Sequence, residues 1–144
     1  MTYRPLTPPL IRDLQNICGE SYVIADDPER LEPFSHDEVS GAHYAHMPEC
    51  AVRPRTAAEV SAILKLANRE SIPVTPRGAG SGLSGGAVPV HGGIVLCSDR
   101  MNSVIEIDPD NMMITVEPGV VTNEINDLVR EYGLFYAGYP MSLE

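Results

Sequence analysis

Residues 78–93 read GAGSGLSGGAVPVHGG and hold seven of the chain's twelve glycines. A helix or strand interior does not tolerate that density, because glycine gives up the most conformational freedom when it is ordered. The run must be a loop, and the chain on either side must supply the regular structure. Upstream, Ile72–Pro76 predicts a short strand, which Pro73 and Pro76 confine to a sheet edge or to an early end. Downstream, Ile94–Cys97 is a short apolar run that predicts another strand. Arg77 is the only formal charge between Ser71 and Ser98. With Leu83, Ala87 and Val88 inside it, the loop is too apolar for a solvated linker.

Three familiar glycine patterns do not hold in this run. Gly80-Ser-Gly82-Leu-Ser-Gly85 fits GxGxxG after a strand, but that fingerprint must open a helix, and Pro89, Gly92 and Gly93 follow instead. Gly82-Leu-Ser84-Gly-Gly86 fits GxSxG, yet a nucleophile elbow needs a later His, and none follows His91. A phosphate loop of the Walker type needs Gly-Lys-Ser/Thr, and the chain's only lysine, Lys65, lies in an expected helix. What remains is a long Gly/Ser loop between strands. Its backbone can adopt positive φ and admit a ligand close to the main chain. Successive N–H groups turned inward form an anion-binding concavity. Ser81 and Ser84 add hydroxyl donors and Arg77 adds positive potential, so a diphosphate suits the chemistry.

The rest of the chain reads as alternating short elements. Pro8–Cys18 predicts a helix with Thr7 as N-cap and Gly19 after its end. Ser21–Ala25 predicts a strand, and Asp26 and Asp27 open a helical turn through Glu32 and Phe34. His36–Glu49 has no period and reads as a loop. Ala51-Val52 predicts a buried strand. Thr56-Ala-Ala-Glu59 is a capping box, followed by a helix to about Arg69 with Val60, Ile63, Leu64 and Ala67 as its apolar stripe. Strand, helix and strand make a compact βαβ unit. Val104–Asp108 and Met112–Val116 flank Pro109-Asp-Asn111 and predict an antiparallel hairpin. Asn123–Tyr132 predicts a helix with Ile125, Leu128 and Val129 inward and Gly133 after it. Leu134–Tyr136 is expected to start a further extended segment. The resulting fold class is α+β: a small parallel βαβ layer, then antiparallel strands with flanking helices.

Charge narrows the partners. The chain has 144 residues with 10 basic and 20 acidic side chains, a net charge of −10. Nucleic acid and anionic membrane surfaces are therefore not expected to bind it. Residues 51–77 form the net-positive stretch, and they run into the glycine loop. No run approaches the roughly 18 apolar residues of a membrane span. Cys18, Cys50 and Cys97 are odd in number and lack a CxxC, which predicts reduced thiols acting as small apolar packers. His43-x-x-His46 has no further ligand at metal-site spacing, so no metal is expected. His91 is read as a turn residue.

Several motifs occur in order: Val52-Arg-Pro-Arg-Thr56, then Ile72-Pro-Val-Thr-Pro-Arg-Gly-Ala-Gly-Ser-Gly-Leu-Ser-Gly-Gly-Ala-Val-Pro89, then Gly93-Ile-Val, Arg100-Met-Asn and Val116-Glu-Pro-Gly-Val120. Over residues 20–144 this resembles the N-terminal half of the FAD-binding domain of the vanillyl-alcohol oxidase and para-cresol methylhydroxylase (PCMH) superfamily. Within it, the chain is most similar to the FAD-binding subunits of glycolate oxidases and to D-lactate dehydrogenases.

The resemblance implies a PCMH-type fold. It divides the chain into residues 1–49, a helical arm and loop, and residues 50–144, the first half of the FAD-binding domain. It implies that Pro76, Arg77, Gly78, Ala79, Gly80, Ser81, Gly82, Leu83 and Ser84 wrap the FAD pyrophosphate, with Gly119 and Val120 near the cofactor. Tyr139-Pro140-Met-Ser142 would match a second FAD-contacting turn, where the family more often has Asp-Pro. Ser81 stands where covalent members carry His, which implies non-covalent FAD. The implied activity of the parent protein is oxidation of a 2-hydroxy acid such as glycolate or D-lactate by hydride transfer to FAD. No catalytic side chain is expected within this segment, and the chain is expected to be a fragment lacking the substrate domain. The expected location is cytoplasmic, peripheral to the membrane only through other oxidase subunits. The alternative is an inactive folded piece that self-associates, as a homodimer, through an exposed apolar face.

Overall fold

The computed structural model describes residues 3–39 and 44–138. Its centre is a four-stranded sheet made of β1 (Val23–Ala25), β2 (Cys50–Val52), β3 (Val74–Arg77) and β4 (Ile94–Cys97). The strand order is β1-β2-β4-β3. β4 pairs in parallel with β2 on one side and β3 on the other, while β1 adds an antiparallel edge. The expected βαβ unit from β2 through the helix Ala57–Glu70 to β3 is thus present, but its two strands are not neighbours, because β4 lies between them. All four β4 residues are buried, as an apolar run in a sheet covered on both faces should be. β3, with Pro76, takes the other edge, where a missing N–H is tolerated.

Alternation sends successive side chains to opposite faces of the sheet. Cys50, Val52, Ile94 and Leu96 face a core shared with helices α1 (Pro8–Cys18) and α3 (Ala57–Glu70), through Leu14, Cys18, Ile63, Leu66 and Ala67. Ile24, Ala51 and Val95 face a smaller cluster with Leu31 and Phe34, which come from α2 (Pro28–Leu31) and the turn after it. All three cysteines are buried free thiols, Cys18 and Cys50 within the larger core. Burial is the main cause that raises each of them, Cys18 to about 11 and Cys50 to about 12.

The expected start of α3 is present with one difference. Thr56 Oγ1 accepts a hydrogen bond from Glu59 N at 3.2 Å, but Glu59 Oε2 reaches past Thr56 and accepts from Arg55 N at 2.8 Å. The apolar stripe is rotated from expectation. Ile63, Leu66 and Ala67 are buried, Val60 is at the margin, and Leu64 is 46% exposed. The helix carries apolar residues around more than one face, so its packing partners, α1 and the sheet, decide which stripe turns inward. The expected strand over 21–25 is shorter, because Glu20–Tyr22 forms a 3₁₀ turn before β1.

β5 (Val104–Asp108) and β6 (Met113–Val116) form a separate antiparallel hairpin. Asp108 closes its turn by accepting from Asn111 N and Nδ2, at 3.1 and 2.7 Å. Met112 adopts a left-handed φ of 54°, so β6 starts one residue later than the apolar pattern suggests. Helix α4 (Thr122–Val129) follows, with Ile125 and Val129 buried; Leu128, expected inward, is 39% exposed. Gly133 adopts φ 71° beyond it. Among the described residues, Leu134–Tyr136 joins neither sheet.

Candidate functional site

The carboxyl ends of β3 and β4 meet where the glycine loop begins. Ser98 N donates to Arg77 O at 2.9 Å, and the Cys97 thiol faces Gly78 O at 3.8 Å. The turn after β6 is drawn to the same place. Gly119 N donates to Met101 O at 2.8 Å, and Ser98 Oγ donates to Pro118 O at 3.4 Å. The approach at Gly119 leaves no room for a side chain: a Cβ there would lie 2.2 Å from Ser98 O and 2.9 Å from Met101 O. An open depression of about 480 Å³ lies here, lined by Val60, Pro76, Arg77, Gly78, Met101 and Pro118 among others.

The structure thus brings Pro76, Arg77 and Gly78 together with the 118–119 turn. Val120 lies next in that turn, its N–H donating to Glu117 O at 3.2 Å. Ala79, Gly80, Ser81, Gly82, Leu83 and Ser84 continue the loop beyond the depression. They dock against a stretch that carries no periodic pattern in the sequence. Glu38 N donates to Gly82 O at 3.0 Å, and Gly85 N donates to Asp37 Oδ2 at 2.9 Å. Arg77 Nη1 donates to His36 O at 2.6 Å, and its guanidinium lies 5.9 Å from the Phe34 ring centre. Gly80 and Gly85 adopt φ +82° and +74°, conformations that favour glycine. Between Ala79 and Ser84, no main-chain N–H finds an acceptor among the described residues. Pro140 and Ser142 lie outside the described residues.

A second cluster braces the same end of the sheet. Arg53, just past β2, grips Asp99, just past β4, in a bidentate ion pair, with Nε donating at 2.9 and 3.2 Å and Nη2 donating as well. Burial works to raise the Asp99 carboxyl, but hydrogen bonds from Arg53 and Cys97 and the Arg53 charge outweigh it and hold the carboxyl below its ordinary range. Arg100 Nη1 donates to Arg53 O at 2.8 Å, and its guanidinium stacks 3.3 Å from the centre of the Tyr22 ring. His91, expected in a turn, stacks near Tyr3 with ring centres 5.1 Å apart.

The glycine loop at the carboxyl end of parallel strands thus carries N–H groups without acceptors among the described residues, the donors that a main-chain anion site requires. A family model described as FAD binding domain matches residues 48–144, and the chain belongs to that family. It is 41% identical over 111 residues to glycolate oxidase subunit GlcD of Bacillus subtilis, covering 77% of this chain and 23% of that protein. It is 35% identical over 138 residues to a D-lactate dehydrogenase of Anaerostipes hadrus, covering 96% of this chain and 28% of the relative. Among solved structures, p-cresol methylhydroxylase with substrate bound superposes with a TM-score of 0.79 at 27% identity, over 92% of this chain and 27% of that one. The PCMH-type fold is therefore the fold of this chain, and FAD is its family's cofactor. The chain spans about a quarter of the length of the curated relatives it matches.

The residues present fit FAD on structural grounds. A diphosphate needs donors that the protein has not already used and a backbone without side chains in the way. Residues 79–84 offer the first, and Gly78, where a Cβ would meet nothing within 4 Å, offers the second. Ser98 and Asp37, both unnoticed in the sequence, complete the surroundings. Neither sits in a motif, and only pairing across the sheet or a 48-residue separation reveals them.

Proposed function

We propose that this chain supplies the pyrophosphate-holding part of an FAD-dependent oxidoreductase that oxidises a small 2-hydroxy acid such as glycolate or D-lactate. The observation that carries the reading is the glycine loop, which opens at Gly78 beside the 118–119 turn and continues into residues 79–84, whose N–H groups have no acceptor among the described residues. Main-chain groups of residues 76–84 hold the diphosphate, and Gly119 and Val120 approach the cofactor. Pro140 and Ser142 belong to a second contacting turn in this reading. FAD, when bound, supplies the acceptor for the substrate's hydride. The protein's part here is binding and orientation. Residues 1–49 act as an arm that completes the sheet and its helical cover, and residues 50–144 carry the cofactor-binding segment.

The substrate class rests on the names of the relatives, glycolate oxidase subunit GlcD and D-lactate dehydrogenase. The word subunit in the first supports further oxidase subunits as partners. Among the described residues no helix is long and apolar enough to cross a membrane. We place the protein in the cytoplasm, reaching a membrane only through such partners. Ser81 at the position of the linking His supports non-covalent FAD. The deciding experiment is Gly80→Val in the protein carrying this segment, read as flavin content after purification. Undiminished stoichiometric FAD would overturn the assignment.

A second reading has its own observation. Ile105, Met112, Met113 and Phe135 are 66, 79, 61 and 76% exposed around the β5–β6 hairpin and the chain after α4. Apolar surface of this kind favours association. In that reading the 144-residue chain is an inactive, colourless self-associating piece. Light scattering together with the flavin absorbance of the purified chain separates the two.

A further inference from the structure

We propose that Asp37 is a positioning residue that holds the glycine loop in its ligand-receiving shape. The inference rests on the reading of residues 76–84 as the diphosphate cradle and adds an element outside it. Asp37 is 6% exposed and, with Ser35, is one of two buried polar side chains among the described residues. A carboxylate is costly to bury unless its oxygens are hydrogen-bonded. Here both are: Oδ1 accepts from Val39 N at 3.0 Å and Oδ2 accepts from Gly85 N at 2.9 Å. The first bond fixes the carboxylate to its own stretch of chain. The second carries it across 48 residues to the far side of the loop.

Asp37 does not act alone. Three consecutive residues each hold one point of the loop. His36 O receives Arg77 at the loop's entry, Glu38 N donates to Gly82 O, and Asp37 takes Gly85 N just past residues 79–84. Fixing these three points leaves the N–H groups of residues 79–84 without an acceptor among the described residues. Donors fixed in place before the anion arrives cost no ordering on binding, which is how preorganisation raises affinity. Both oxygens are engaged by main-chain donors, one from Val39 on its own stretch and one from Gly85 in the loop. Asn at this site keeps one acceptor and turns an NH₂ group toward an N–H, so one of the two bonds must break.

The test is amide NMR of the 144-residue chain and its Asp37→Asn variant, with FAD and with ADP, which carries the diphosphate but no flavin. In the variant, exchange of Gly85 and its loop neighbours should quicken at least tenfold, with the amides of residues 94–97 unchanged. Shifts at residues 79–84 should require at least tenfold more ADP or FAD. Equal loop exchange and equal ligand response in the two proteins overturn the role given to Asp37. Wild-type amides of residues 79–84 that ignore both ligands overturn the cofactor reading instead, and the exchange comparison still decides whether Asp37 orders the loop. Should the variant fail to fold, wild-type exchange decides: Gly85 and Val39 should exchange at least tenfold more slowly than Ala79 and Ser81. A Gly85 amide as fast as Ala79 overturns the proposal.

Discussion

The guanidinium of Arg77 occupies the space into which a side chain on residue 80 would project. A Cβ on Gly80 would lie 2.0 Å from Nη2 and 2.3 Å from Cζ. The close approach and the positive φ both call for glycine. Gly80→Ala must therefore displace the arginine and break its bond to His36 O. We expect a loss of about 1–2 kcal/mol in stability from the left-handed conformation alone. The clash with the guanidinium adds a further loss, and in a double-mutant cycle with Arg77→Ala that added part should disappear. Urea unfolding of the four proteins measures it, and strict additivity would remove the steric link.

Gly78 and Gly119 separate backbone tolerance from cofactor approach. At Gly119 a methyl group meets two carbonyl oxygens of fixed backbone, whereas at Gly78 it meets nothing within 4 Å. We expect Gly119→Ala to destabilise by about 1–3 kcal/mol, as overpacking does. Gly78→Ala should leave stability within about 0.5 kcal/mol of the parent, the usual range for an open surface site. If the diphosphate passes over Gly78, that quiet substitution should still weaken FAD binding severalfold in a titration.

The Arg53–Asp99 pair sets an acid limb. Asp99 has a folded-state carboxyl held below its ordinary value, so its contribution is present above the unfolded value, about 3.9, and is lost as pH falls through the folded value. Both side chains are 38% exposed, so screening keeps the effect to about 1 kcal/mol or less. Asp99→Asn should flatten the fall in stability below about pH 4 and leave neutral-pH cooperativity intact. An unchanged acid limb in urea unfolding between neutral pH and pH 2 would show that the pair contributes nothing there.

The buried thiols set an alkaline limb. Burial raises Cys18 to about 11 and Cys50 to about 12 from an ordinary 9.0, which disfavours thiolate in the folded state. Their contribution is whole below pH 9.0 and is lost as pH rises toward those values. At pH 8 the native chain should alkylate at Cys18 and Cys50 only through unfolding, at least a hundredfold more slowly than in denaturant. Mass spectrometry of timed iodoacetamide reactions reads this directly.

Ser81 makes a chemical forecast. A hydroxyl does not form the histidyl link of covalent flavoproteins, so acid precipitation of flavin-loaded protein should leave the yellow colour in the supernatant. Colour retained in the pellet would place a covalent attachment elsewhere in the protein.

The elements legible in the sequence were those fixed by local chemistry. Thr56 and Glu59 start α3, Asp108 and Asn111 close the hairpin, and Pro76 marks an edge strand. The loop's expected site residues 76–78 and the 118–119 turn also come together. What was not legible depends on partners distant in sequence. Leu66 replaces Leu64 inside because α1 packs on α3. β4 enters between β2 and β3, a pairing that no local period encodes. Asp37 lies in an unpatterned stretch, and only its burial under the loop distinguishes it from any surface aspartate.

β3 and β4 are parallel neighbours, so the chain leaving Arg77 beside Cys97 must travel back along the sheet to re-enter at Ile94 beside Val74. Such returns are usually made by a helix. Here the glycine loop itself makes the return journey. It is therefore the covalent link between two parallel neighbours as well as a glycine-rich segment. In the proposed reading the same segment holds the diphosphate, and a bound diphosphate would fasten the edge strand β3 to its neighbour.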